Sequence, residues 1–188
     1  QDFRVIQPLT HNMPQWKTEA RLLSLPEGLA VAFVCDQPEE TRTRTVSQRD
    51  TDRFDAGAVS LIIDFDGKSE RFFQFSVSLS GSYRDGTLDR RFSLNRDWDG
   101  LWQRAVNEDE DRWVVEMLLP WSIVAMRDGK GDTRQLRVFF QRDVYATGER
   151  FAFPKTSTVL SRFISEIAAV EVQRYSDAVF NIWPYATV

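Results

Sequence analysis

The sequence predicts an all-β fold, a β-sandwich, because apolar residues recur at every second position and turn residues punctuate them at short intervals. A third observation agrees. Aromatic residues make up 13% of the chain, including 14 Phe and 6 Trp, and such side chains suit the half-buried surface of a pleated sheet better than a helix. At 188 residues the chain falls within the range of one domain, 1–188. A chain of this size buries roughly 70% of the surface it exposes when unfolded. The hydrophobic fraction of 42% excludes an intrinsically disordered chain.

Taken in order, residues 17–25 form a weaker strand candidate that ends at the turn Pro26-Glu27-Gly28. The run from Leu29 to Cys35 is almost continuously apolar, as is Val59-Ser60-Leu61-Ile62-Ile63, and both suit central strands. Between them, 37–56 reads as a long irregular stretch rich in Asp, Arg and Ser. After the Asp66-Gly67 turn, Phe73-Gln74-Phe75-Ser76-Val77-Ser78-Leu79-Ser80 alternates apolar and polar residues, so one face lies on a core and the other meets water or a ligand. Residues 81–100 read as a second irregular stretch, with turn signatures at Ser80-Gly81 and Asp85-Gly86. Strands follow at 101–106, 113–119 and 136–141, with a helical turn at 120–126 and turns at Asp128-Gly129 and Thr147-Gly148. Two further weak strand candidates are 167–173 and 179–185.

Composition removes several function classes. The net charge is −4 and the basic residues are scattered among acids, whereas a nucleic-acid surface needs clustered Lys and Arg. The only cysteine, Cys35, allows no intrachain disulfide and reads as a small buried hydrophobe. One histidine, His11, excludes a multi-histidine metal site. There is no apolar run of 18 residues, so no transmembrane helix is expected. No signal-peptide pattern is visible at the start, which leaves the compartment open. Nucleophile elbows, phosphate loops and zinc-protease motifs are missing, so the chain does not read as an enzyme. Glycosidases need only two facing carboxylates, and among 28 acids some pair will meet that distance by chance.

Several spaced signals carry a resemblance. They are Trp16, the strand from Leu29 to Asp36, Arg49-Asp50 before the run ending Ile63-Asp64, and Phe75-x-Val77. Asp97-Trp98-Asp99-Gly100-Leu101-Trp102, Trp113-Val114-Val115-Glu116, Pro120-Trp121, Arg142 and Glu149 complete the series. In this order the chain resembles the carbohydrate-binding module family 9-like domain found at the N-terminus of bacterial proteins of unknown function. The resemblance implies a β-sandwich of immunoglobulin-like or DOMON-like type that is secreted or periplasmic and binds an oligosaccharide or polysaccharide. In such proteins an outer-membrane-type β-barrel commonly follows, and Ile182-Trp183-Pro184-Tyr185 looks like the junction to it. Family 9 modules clamp a sugar between tryptophans beside charged groups. Carried over, the clamp aromatic falls on Phe54, an acid of the sugar site on Ser60, and an arginine on Ser76.

Sugars pack their C–H faces on aromatic rings and need directional partners for their hydroxyls. That mixture occurs in the series from Tyr83-Arg84-Asp85 through Arg96-Asp97-Trp98-Asp99-Gly100 and in Arg49-Asp50 with Asp52, Arg53, Phe54 and Asp55. With Trp102, the sharpest candidates are Arg49, Asp50, Phe54, Trp98, Asp99 and Trp102. These six residues are the candidate ligand contacts. Trp98 and Trp102 fit either a core position or an exposed platform, whereas Trp113 and Trp121 read as core. Asp50, Asp52 and Asp55 form a candidate calcium site, the structural metal that the resemblance allows, although Arg49 and Arg53 could neutralise the same carboxylates. Arg142 with Glu149, and Arg49 with Asp50, are expected as structural ion pairs. A rival reading is a periplasmic accessory or interaction domain of a barrel protein with no sugar site. It expects the candidate aromatics to be buried.

Overall fold

The computed structural model describes residues 2–88, 93–127, 131–156 and 160–175, the side chains of 160–162 excepted. Among these residues, twelve strands build two antiparallel sheets. The larger sheet orders β1 (Arg4–Gln7), β11 (Glu149–Phe153), β10 (Thr133–Val144), β4 (Ala58–Asp64), β5 (Phe72–Ser78), β6 (Tyr83–Leu88) and β7 (Leu94–Asn95). β12 (Ala168–Gln173) pairs with the first half of β10, on the edge whose second half is taken by β11. The smaller sheet runs β2 (Thr18–Leu25), β3 (Gly28–Asp36), β9 (Arg112–Pro120) and β8 (Gln103–Glu108). The two nearly continuous apolar runs became β3 and β4, each flanked on both sides by other strands.

Period-two alternation decides which side chains meet between the sheets. Val59, Leu61 and Ile63 of β4, Phe73, Phe75 and Val77 of β5, and Leu136, Val138 and Phe140 of β10 face inward. They meet Leu29, Val31, Phe33 and Cys35 of β3 and Trp113, Val115, Met117 and Leu119 of β9. Phe33 touches Phe140 edge-on at 5.7 Å between ring centres. Burial pushes the Cys35 thiol up to about 11, as suits a small hydrophobe. The larger sheet carries a second apolar cluster on its outer face. There Ile62, Phe72, Leu88, Phe139, Ala152 and Ile167 are packed by Phe163 of the short helix α1 (Leu160–Glu166).

Three expectations change. Asp85-Gly86 is not a turn but the middle of β6, and 81–100, read as irregular, contributes both β6 and β7. The helical turn expected over 120–126 is a 3-10 turn confined to Trp121–Ile123. The expected Arg142–Glu149 pair does not form. The Arg142 guanidinium is fully buried and donates to the carbonyls of Lys17 and Asp36, to Thr18 Oγ1 at 2.9 Å and to Gln37 Oε1 at 2.9 Å. Arg142 therefore ties β10 to the ends of β2 and β3, because its inward position on β10 places it inside the sandwich. The 179–185 strand candidate, the Asp128-Gly129 turn and the junction at 182–185 lie outside the described residues.

Candidate functional site

The candidate residues divide between the two faces of the β5–β6 hairpin. Tyr83 pairs with inward-facing Val77 and Asp85 with inward-facing Phe75, whereas Arg84 pairs with Ser76 on the outer face. Trp98 and Trp102 belong to the inner side. Trp98 packs on Phe73 at 4.9 Å and Phe75 at 5.9 Å, and Trp102 on Phe75 at 5.3 Å and Tyr83 at 5.7 Å. Trp102 is 8% exposed and Trp98 is partly buried. Of the two alternatives open to these rings, the structure takes the core position, closing the end of the sandwich.

Arg49, Asp50 and Asp99 do come together, around a carboxylate that sequence reasoning left in a turn. Arg49 meets Asp50 at 3.1 Å, Asp99 at 2.5 Å and buried Asp85 at 3.4 Å, with its guanidinium over the Tyr83 ring. The second oxygen of Asp85 accepts the Gly100 N–H at 2.6 Å, which fixes the loop carrying Trp98 and Trp102. Burial holds the Asp85 carboxyl above the ordinary aspartate range, against the pull of Gly100 and Arg49.

Among the described residues, Asp50, Asp85 and Asp99 are the one trio of carboxylates whose oxygens lie within 4.8 Å of one another. The structure does not bring Asp52 and Asp55 into it: Asp52 turns to Arg96 at 2.6 Å and Asp55 points to solvent. Calcium takes six to eight oxygen ligands. Here the Arg49 guanidinium already touches all three carboxylates and supplies the positive charge. As arranged, this trio fits a guanidinium better than calcium.

Phe54 belongs to a different place, a cleft of about 270 Å³ on the outer face of the larger sheet. Its lining includes Asp52, Arg53, Phe54, Arg84, Asp143, Tyr145 and Arg150. Phe54 is 6% exposed and lies beneath the Arg84 guanidinium, 5.0 Å from its ring centre. Tyr145, in the β10–β11 turn, is the exposed ring, with Arg53 over it at 5.6 Å. Asp143 is held by Arg150 Nε at 2.6 Å and by the Gln141 amide at 3.2 Å.

Strand register explains how this cleft assembles. Ala152, Gln141, Ser60, Ser76 and Arg84 form one row across β11, β10, β4, β5 and β6. Ser60 and Ser76 are buried and hydrogen-bond to each other at 2.8 Å. An arginine therefore does stand in this row, one strand beyond the position where the sequence was searched for it. Asp143 and Arg150 occupy the next row. Arg84 was read only within the polar series Tyr83-Arg84-Asp85. Asp143, Tyr145 and Arg150 escaped sequence reasoning because their proximity to Phe54 and Arg84 depends on pairing between distant strands, which no local motif marks.

An apolar groove of about 640 Å³ on the outer face of the smaller sheet is floored by Ala30, Ala32, Leu23 and Leu118, with no aromatic residue among the described residues that line it. No helix among the described residues is long and apolar enough to cross a membrane.

No family model and no curated protein matches the sequence. Solved structures do match in fold. A candidate carbohydrate-binding protein from Bacteroides uniformis superposes with a TM-score of 0.65 at 11% identity, covering 92% of this chain and 85% of its own. A family 9 carbohydrate-binding module from Caldicellulosiruptor kristjanssonii, in complex with cellotriose, gives 0.59 at 12% identity over 92% of this chain and 84% of its own. Its structure in complex with glucose gives 0.61 at 10% identity, covering 91% and 83%. At such identities the likeness establishes the fold, a β-sandwich of this type.

Proposed function

We propose that the protein is a non-catalytic carbohydrate-binding domain whose site is the cleft bounded by Phe54, Arg84, Asp143, Tyr145 and Arg150. The observation that carries this reading is the cleft itself. It sets an exposed aromatic ring beside a carboxylate and guanidiniums on a rigid sheet, the pairing of apolar face and directional donors that a sugar needs. Two considerations support it. The resemblance places a clamp aromatic at Phe54, and the matching folds include a family 9 module bound to cellotriose and to glucose. The cleft volume suits a ligand of one sugar ring or a chain end.

Among the described residues no tryptophan lines the cleft, so heat of binding is a better readout than fluorescence. Calorimetric titration with cellotriose and a panel of other soluble trisaccharides is expected to give saturable binding to at least one neutral or acidic sugar. Tyr145→Ala should weaken that binding about tenfold, the loss of one good ring contact, and Trp98→Phe should leave it unchanged. Unchanged affinity in Tyr145→Ala would remove the cleft from consideration.

The burial of Phe54 and Trp102 favours a second reading, an accessory or interaction domain with no sugar site, in a secreted or periplasmic and outer-membrane-associated setting. It expects no heat with any saccharide.

A further inference from the structure

The charges of the cleft are unevenly matched. Three acids face it: Asp143 is bound by Arg150 and Gln141, Asp52 pairs with Arg96, and Glu149 accepts from Thr147 at 3.0 Å. Against them stand four guanidiniums, those of Arg53, Arg84, Arg150 and, behind Asp52, Arg96. Among the described residues, Arg84 is the deeply placed one of these that makes no direct ion pair, with Asp143 and Asp52 acting on it only from farther off. Its Nη1 donates to the carbonyls of Thr51 and Asp52, its face lies on Phe54, and its buried Nε has no hydrogen-bond partner among the described residues. A guanidinium taken partly out of water without a direct ion pair is costly, and a ligand anion at Arg84 would offset part of that cost. Burial depresses the Arg84 pKa, in keeping with an under-compensated cation. Arginine is also the side chain suited to bind a carboxylate through two parallel hydrogen bonds.

We propose that the cleft selects an acidic saccharide, a uronate whose carboxylate pairs with Arg84 while its ring rests on Tyr145. This inference rests on the sugar-binding reading and adds the charge class of the ligand. The neutral sugars held by one of the matching folds do not imply it; the unpaired Arg84 does.

The test is calorimetry on the whole chain at low ionic strength, with trimers of galacturonate, mannuronate and glucuronate set against cellotriose. At least one uronate trimer is expected to bind about tenfold or more tightly than cellotriose. Raising the salt should weaken the uronate and spare the neutral sugar. Arg84→Gln should bring the two affinities together, and Arg84→Lys should keep part of the preference; a thermal melt of each variant confirms that it is folded. Sodium acetate tests the simple-anion alternative, and displacement of the uronate by acetate at equal concentration would overturn the proposal. If cellotriose binds at Tyr145 and no uronate binds more tightly, the charge class is wrong and sugar binding stands. If no saccharide binds at all, both readings fail.

Discussion

At the residue scale, aromatic side chains do opposite work according to whether their loop turns them into the sandwich or out of it. Trp102 and Tyr145 are both aromatic residues among charges, yet one is 8% exposed and the other 39%. Trp102→Ala should therefore lower stability by about 3–5 kcal/mol, the usual cost of deleting a core aromatic, measured by urea denaturation. Tyr145→Ala should leave the same curve almost unmoved. Asp85 makes a pH-dependent prediction. Its folded pKa is raised by burial, so the folded state binds this proton more tightly than the unfolded chain does. That contribution is fully present below the unfolded pKa and is lost as pH rises through the folded one. Asp85→Asn should remove this part of the pH dependence, so that stability measured by denaturant falls less on going from the aspartate range to neutrality than it does in the unsubstituted protein. An unchanged slope would show that Asp85 does not titrate this way. Residue identity made Phe54, Arg49, Asp50 and Asp99 readable as a polar and aromatic set, and the last three do meet. It placed Arg84 in a loop series with Tyr83 and Asp85 and not on a strand, because the dipeptide Asp85-Gly86 after it looks like a turn.

At the element scale, strands with apolar runs or clear alternation were legible, the edge strands β2, β8 and β12 were read as weaker candidates, and β1, β6, β7 and β11 were not read as strands. β3, β4, β5, β9 and β10 were read from apolar runs or period two, and each is flanked by partners on both sides. β6 holds Tyr83-Arg84-Asp85-Gly86-Thr87-Leu88, where a buried carboxylate and a glycine take inward and outward positions usually filled by hydrophobes. Its glycine has a mechanical reason: a Cβ at Gly86 would collide with the carbonyl oxygen of Asn95 in β7. Gly86→Ala should push β7 away and cost about 1–3 kcal/mol, the range for overpacking. Hydrogen exchange should show faster exchange at Leu94 and Asn95 and little change in β3 or β9. Uniform loosening of both sheets would contradict this local account. β1 depends on β11, remote in sequence, and β7 is only two residues long, so local pattern marks neither.

At the scale of the whole molecule, the two sheets serve separate ends. The inner faces hold the core, the end loops are pinned by Arg49 and Asp85, and the outer face of the larger sheet carries the cleft. Because Arg49 supplies the charge among Asp50, Asp85 and Asp99, added calcium or a chelator should leave the melting temperature unchanged. A rise of several degrees with calcium would show that the trio opens to take the ion. The fold class was legible as a sandwich because period and turn spacing are whole-chain properties. The site was not, since it is made by register across five strands.

The measurement that bears most directly on the account is a map of backbone amide shifts during titration with the tightest-binding trisaccharide. The expected result is a set of saturable changes centred on Phe54, Arg84, Asp143, Tyr145 and Arg150, with the Trp98–Trp102 loop unmoved. Changes centred on Ala30, Ala32 and Leu118 of the smaller sheet, or none with any neutral or acidic trisaccharide, would contradict it.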